Sequence, residues 1–139
     1  MKSRQETEID IQELKRTLHK QEYSFFDAKK RDALLENVEL LFNYADENDL
    51  WDDYCWGSEE SVFYTCMYVA MEINFVTTDI VKNIEVFYNY VREWFRDKAD
   101  HYRGRADRGY INPDKIGETM CKDCAAELIE VLKQAEDES

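Results

Sequence analysis

The stretch GSEESVFYTCMYVAMEIN, residues 57–74, decides the fold. Val62, Cys66, Val69 and Ile73 fall on one row at spacings of three and four, with Phe63, Met67 and Ala70 beside it. That recurrence is the helical period, and apolar residues around most of the circumference mark a helix covered on several sides. The stretch therefore predicts a central helix. Ser58 is its expected N-cap, with Glu59 and Glu60 set against the positive end of the helix dipole.

Working outward, the preceding helix should start after Ser24 or Asp27, either of which can accept a bond from the open amides of a first turn. Its buried row is Leu34, Val38, Leu41 and Ala45, widened by Leu35 and Phe42. An N-terminal helix over residues 6–22 carries only the narrow stripe Ile11, Leu14 and Leu18, which suits a peripheral position. After the central helix, Thr77 or Thr78 is the expected cap of a long helix over about 78–103, with the row Ile80, Ile84, Phe87, Val91, Trp94, Phe95, Lys98 and Tyr102. Gly104 and Gly109 should end it. Asn112 and Pro113 then open a fifth helix along Ile116, Met120, Cys124, Leu128, Val131 and Ala135, since proline's missing N–H costs nothing at a first helical position. The expectation is an all-α, compact bundle of about five helices forming one domain over 1–139, with a disordered acidic tail at 136–139. Phe63, Met67, Ala70, Phe87, Val91 and Leu128 should be buried. No stretch alternates cleanly with period two, though Asn74–Val81 leaves room for a short strand.

A chain of 139 residues with 44% hydrophobic and 35% charged residues can bury about two-thirds of its unfolded surface. It is too apolar for a disordered acidic tail and has no run near the roughly 18 apolar residues that span a bilayer. The opening MKSRQETEIDIQ lacks the apolar stretch of a secretory signal. These features, with four irregularly spaced cysteines, imply a cytoplasmic protein with reduced thiols.

The net charge of −13 is unevenly spread: residues 32–91 hold 13 acidic residues against one cation, Lys82, a local −12. Such a field repels nucleic acid and anionic membrane and attracts cationic surfaces. The densest part is Asp46 to Glu60. Its acids are Asp46, Glu47, Asp49, Asp52, Asp53, Glu59 and Glu60, interleaved with Trp51, Tyr54 and Trp56. Acid-plus-aromatic loops suit a partner site, because the rings supply contact area and the carboxylates steer a cationic target. The plainer alternative is that the tryptophans cap the core and the acids solvate the loop.

Other constellations are weaker. Cys121 and Cys124 form a C-x-x-C, and with Cys55 and Cys66 they number four, as in a structural zinc site. However, Cys66 lies on the apolar row of the central helix, so buried thiols with no metal are expected. Glu36 with Glu39, and Glu127 with Glu130, set carboxylates on one helical face in the manner of metal-dependent nucleotide-processing bundles, or simply of a solvated face. The all-α nucleotide pyrophosphatases show a pattern of this general kind, without the companion acidic residues here. His19 and His101 have no nucleophile placed beside them in sequence. Arg92, Arg96, Lys98, Arg103, Arg105 and Arg108, among Trp94, Tyr102 and Tyr110, could bind phosphate or a small phosphorylated ligand. They could equally pair with this protein's own acids or those of a second copy, as in a homodimer.

Together these features imply a non-enzymatic acidic binding protein, without cofactor, that occupies a basic or nucleic-acid-binding protein and binds neither nucleic acid nor membrane itself. Carboxylates one helical turn apart stand about 6 Å from each other, comparable to backbone phosphates, so such a face can act as a nucleic-acid mimic. In size, acidity and helicity the chain resembles the small inhibitors that phages and mobile elements direct at restriction or CRISPR nucleases, and also bacterial toxin-immunity proteins. The likeness is one of type.

Overall fold

A computed structural model describes residues 4–19, 27–56, 60–77 and 82–137. Five helices carry the fold: α1 (Arg4–His19), α2 (Ala28–Glu47), α3 (Val62–Val76), α4 (Ile84–Asp107) and α5 (Ile116–Asp137). A small antiparallel hairpin, β1 (Tyr54–Trp56) with β2 (Glu60–Ser61), joins α2 to α3.

Helix α3 is the centre and packs against α2, α4 and α5. Its row Val62, Cys66, Val69 and Ile73 is buried together with Phe63, Met67 and Ala70. From α2 the row Leu34, Val38, Leu41 and Ala45 meets it; from α4 come Phe87, Val91 and Phe95, and from α5 Met120, Cys124 and Leu128. All six residues expected in the core are buried. Each large side chain in these rows contributes roughly 1.5–3 kcal/mol by leaving water, which is what holds an amphipathic helix in place. Phe63 also meets Phe42, Trp51 and Tyr64 ring to ring. Phe63→Ala would therefore open a cavity and cost roughly 3–5 kcal/mol.

The helix boundaries select one of the two caps expected for α2 and correct the sequence reading in three further places. First, Asp27 caps α2, its side chain accepting from the Lys30 amide. Second, α3 starts at Val62 and is capped by Ser61, which accepts from the Tyr64 amide; Ser58 lies outside the described residues. The hairpin takes up the backbone that a longer helix would need, and Glu60 belongs to β2. Third, α4 begins at Ile84 with Asn83 as its cap, whereas Thr77 is the C-cap of α3. Finally, Gly104 lies inside α4. The helix stops where Gly109, at φ 81°, supplies the left-handed residue of a Schellman turn, in which the Tyr110 amide bonds to the Arg105 carbonyl at 2.9 Å.

Helix α2 ends in the same way, with Asp49 at φ 53° in the left-handed position and the Leu50 amide bonding to the Ala45 carbonyl at 2.9 Å. Asn112 caps a short 3-10 turn, Pro113–Lys115, that feeds α5. Helix α5 continues to Asp137, so the helix enters the stretch expected as a tail from 136; residues 138–139 lie outside the described residues. No described helix is long and apolar enough to cross a membrane.

Candidate functional site

The acids of residues 32–53 divide into those consumed by the protein's own cations and donors and those left open. On α2, Asp32, Glu36, Glu39, Asp46 and Glu47 fall within an arc of about 100° around the helix axis, along a rise of roughly 22 Å. All five are exposed. The Schellman turn at Asp49 then carries the chain into Asp52, extending the same run of charge. Asp32 pairs with Arg31 at 3.2 Å, and Asp46 accepts from Arg4 Nε at 2.5 Å. That bond from Arg4 pulls the Asp46 carboxyl below its ordinary range, with a smaller contribution from the Trp51 indole. Among the described residues, Glu36, Glu39, Glu47, Asp49 and Asp52 enter no ion pair.

Asp53 has a different role. Its carboxylate faces inward, with side-chain exposure of 17%. It accepts from Tyr88 Oη at 2.9 Å, Arg92 Nη1 at 3.3 Å and Arg96 Nη2 at 2.8 Å. Arg96 also donates to the Tyr54 carbonyl at 2.9 Å. Asp53 thus pins the start of the hairpin to α4 and consumes part of the charge of two members of the basic cluster. Trp51 is half-buried, with ring centroids 5.0 Å from Phe42 and 5.5 Å from Phe63, and so belongs largely to the edge of the core. Glu59 lies outside the described residues, as do the side chains of Trp56 and Glu60.

Of the remaining basic residues, Lys98 is exposed and enters no ion pair among the described residues, while the three arginines are held locally. Arg103 is 3.7 Å from Asp100, Arg105 lies over the Tyr102 ring, and Arg108 Nε donates to the Gly104 carbonyl at 3.2 Å. Together with the Asp53 pairs, these contacts leave the cluster dispersed along α4. Cys66 and Cys124 are buried in the core, Cys121 is half-buried, and the Cys55 side chain is outside the described residues. Among the described residues no three His, Cys, Asp or Glu side chains gather as a metal-binding group. Glu36 and Glu39 are both exposed, and so is His101; the His19 side chain is outside the described residues.

Two features escaped the sequence reading. The first is a set of aromatic donors on acids. Tyr64 Oη donates to Asp10 at 2.5 Å, Tyr102 Oη to Asp123 at 2.6 Å, and the Trp94 indole to Glu127. With Tyr88 on Asp53, these bonds tie α1 to α3, α4 to the hairpin and α4 to α5. Burial, followed by the carboxylate bond, pushes the Tyr64, Tyr88 and Tyr102 hydroxyls well above their ordinary pKa.

The second is a groove between α3 and α5, formed by adjoining hollows of about 440 and 330 Å³ that share Glu72 and Glu118. Tyr68, Phe75 and Val76 remain exposed along it, Val76 at 72%. The breadth of the apolar surface on α3 was the available signal: a short helix that is apolar nearly all round needs more partners than a five-helix bundle supplies.

No protein-family model matches this chain, and no curated protein or solved structure is significantly similar to it.

Proposed function

We propose that this is a non-enzymatic binding protein whose acidic face, along α2 and the turn that follows it, occupies a basic surface of a partner protein. The observation that carries the reading is the set of five exposed carboxylates, Glu36, Glu39, Glu47, Asp49 and Asp52, with no ion partner among the described residues. They follow one side of a rigid helix into a turn pinned through Asp53. A fixed array of this kind costs little entropy to present, and within it Glu36 and Glu39, one helical turn apart, stand at a separation comparable to that of nucleic-acid phosphates. The partner is accordingly a protein with a groove for nucleic acid, and the reading makes this chain a competitor for that groove, in the manner of a nuclease inhibitor or an immunity-type protein in the cytoplasm. Direct binding of nucleic acid does not fit a net charge of −13.

The test uses a quadruple variant, Glu36→Lys, Glu47→Lys, Asp52→Lys and Asp49→Asn. Asparagine is chosen at position 49 because the left-handed backbone there tolerates it. A partner recovered at low salt should be released at high salt and displaced by duplex DNA. The variant should melt like the parent yet lose the partner by about a hundredfold or more, since like charges at an interface cost several kcal/mol. Unchanged affinity and salt dependence would remove the acidic face from the function.

A further inference from the structure

We propose that the groove between α3 and α5 docks an amphipathic helix of a partner protein, seating an apolar ridge on Tyr68, Phe75, Val76 and Ile129 and a Lys or Arg of the partner on Glu72. This surface is separate from the acidic face of α2, and the inference stands without it.

The shape of the groove comes from its walls. On α3, Tyr68, Glu72 and Val76 succeed one another at spacings of four, with Met71 and Phe75 beside them. They form a single stripe roughly 12 Å long. On α5 the lining runs from Gly117 through Cys121 and Ala125 to Ile129, roughly 18 Å. A trough of two to three helical turns, apolar at its edges and flanked by helices on both sides, is the form that receives a helix through anchors at i, i+3, i+4 and i+7.

The charges select the occupant. Glu118 accepts from Lys115 Nζ at 3.3 Å and from Lys122 Nζ at 3.0 Å, so those three groups satisfy one another. Glu72 differs: among the described residues its carboxylate accepts no hydrogen bond and enters no ion pair. Burial raises its pKa, opposed by the Lys122 charge and assisted by that of Glu118. This partly desolvated carboxylate has Lys122 near it but beyond ion-pair distance, and a ligand that brings a cation into contact gains an interaction which water supplies poorly there. A second copy of the chain fits less well, since two bodies of charge −13 repel each other.

The probe is a set of three 18-residue amphipathic helical peptides of near-zero net charge. They are identical except for Lys, Gln or Glu at the centre of the apolar ridge. The Lys peptide should bind about tenfold tighter than the Gln peptide, with the Glu peptide weakest. Binding should shield Cys121, which lines the groove, from alkylation as read by peptide mapping. Tyr68→Asp and Val76→Asp change exposed positions, so the melting temperature should hold while affinity falls at least about tenfold. Glu72→Lys should invert the ranking in favour of the Glu peptide, and Glu72→Gln should flatten it. Neutralising Asp49 and Asp52 to Asn should leave the ranking unchanged. Absence of any ranking, a ranking unmoved by Glu72→Lys, or no shielding of Cys121 would overturn the proposal. A dimer in sedimentation that Val76→Asp dissociates would assign the groove to a second copy and would equally overturn it.

Discussion

Replacing Asp53 with alanine removes a carboxylate that three donors on α4 share. The Tyr88 hydroxyl lies in the core, with the residue 1% exposed, so it cannot turn to water when its acceptor is lost. An orphaned buried donor costs roughly 1–3 kcal/mol. Arg92 and Arg96 are 26% and 43% exposed and recover part of their solvation, so each adds at most about 1 kcal/mol. Among the described residues Arg92 Nε donates no hydrogen bond and has only Glu93 at 3.9 Å, which leaves that side chain little slack. The expected loss is about 2–4 kcal/mol, or roughly 6–14 °C in melting temperature for a domain of this size. Asp53→Asn keeps an acceptor for Tyr88 and should cost only about 1 kcal/mol. Urea denaturation of both variants, in a double-mutant cycle with Tyr88→Phe, should give a coupling of at least about 1 kcal/mol. A loss for Asp53→Ala within about 0.5 kcal/mol, the usual range for exposed positions, would refute the internal role of Asp53 and return it to the partner-facing set.

Alkaline titration should expose the tyrosine–carboxylate bonds. Tyr64, Tyr88 and Tyr102 hold their protons more tightly folded than unfolded, so the stability they confer is fully present below the ordinary tyrosine value of about 10 and is lost as pH rises beyond it. Of the nine tyrosines, these three should ionise only as the chain unfolds, as read by absorbance near 295 nm; a single ionisation step of all nine with the helices intact would contradict this. Glu72 has a raised pKa, so the folded state loses stability as pH rises through that range. Glu72→Gln should therefore melt higher than the parent at neutral pH, and the difference should close below the ordinary glutamate range. Gly104→Ala should stabilise the protein by about 0.5–1 kcal/mol in urea denaturation, since an added Cβ meets nothing nearer than Arg108 Nη2 at 3.7 Å and the helix gains propensity. Gly109→Ala should do the reverse, because φ 81° disfavours any side chain.

The helices and their inward faces were legible because the 3.6-residue period is written into short windows. Leu34, Val38, Leu41 and Ala45, or Val62, Cys66, Val69 and Ile73, need no distant information to be placed on one side of a rod. The caps were read less well. Two serines, Ser58 and Ser61, stand before the same apolar run, and choosing Ser61 required knowing that residues 54–56 pair with 60–61, a hairpin too short to show a period. Thr77 offered the capping chemistry that Asn83 uses, and only the end of α3 at Val76 assigns it to the preceding helix.

The charge of the chain and its concentration between residues 32 and 91 were fixed by composition, and so was the excess of apolar surface on α3. Tertiary structure decided which charges remain for a partner. Asp52 and Asp53 are identical neighbours, yet Asp52 faces solvent and Asp53 lies beneath Tyr88, Arg92 and Arg96, residues 35, 39 and 43 positions away. Those distances lie far beyond any local period, so the partition of the carboxylates into internal acceptors and an open face follows from how α4 packs against the hairpin. The groove at Glu72 was decided in the same way: the sequence makes α3 apolar nearly all round, and only the packing of α2, α4 and α5 against it determines which strip of it stays exposed.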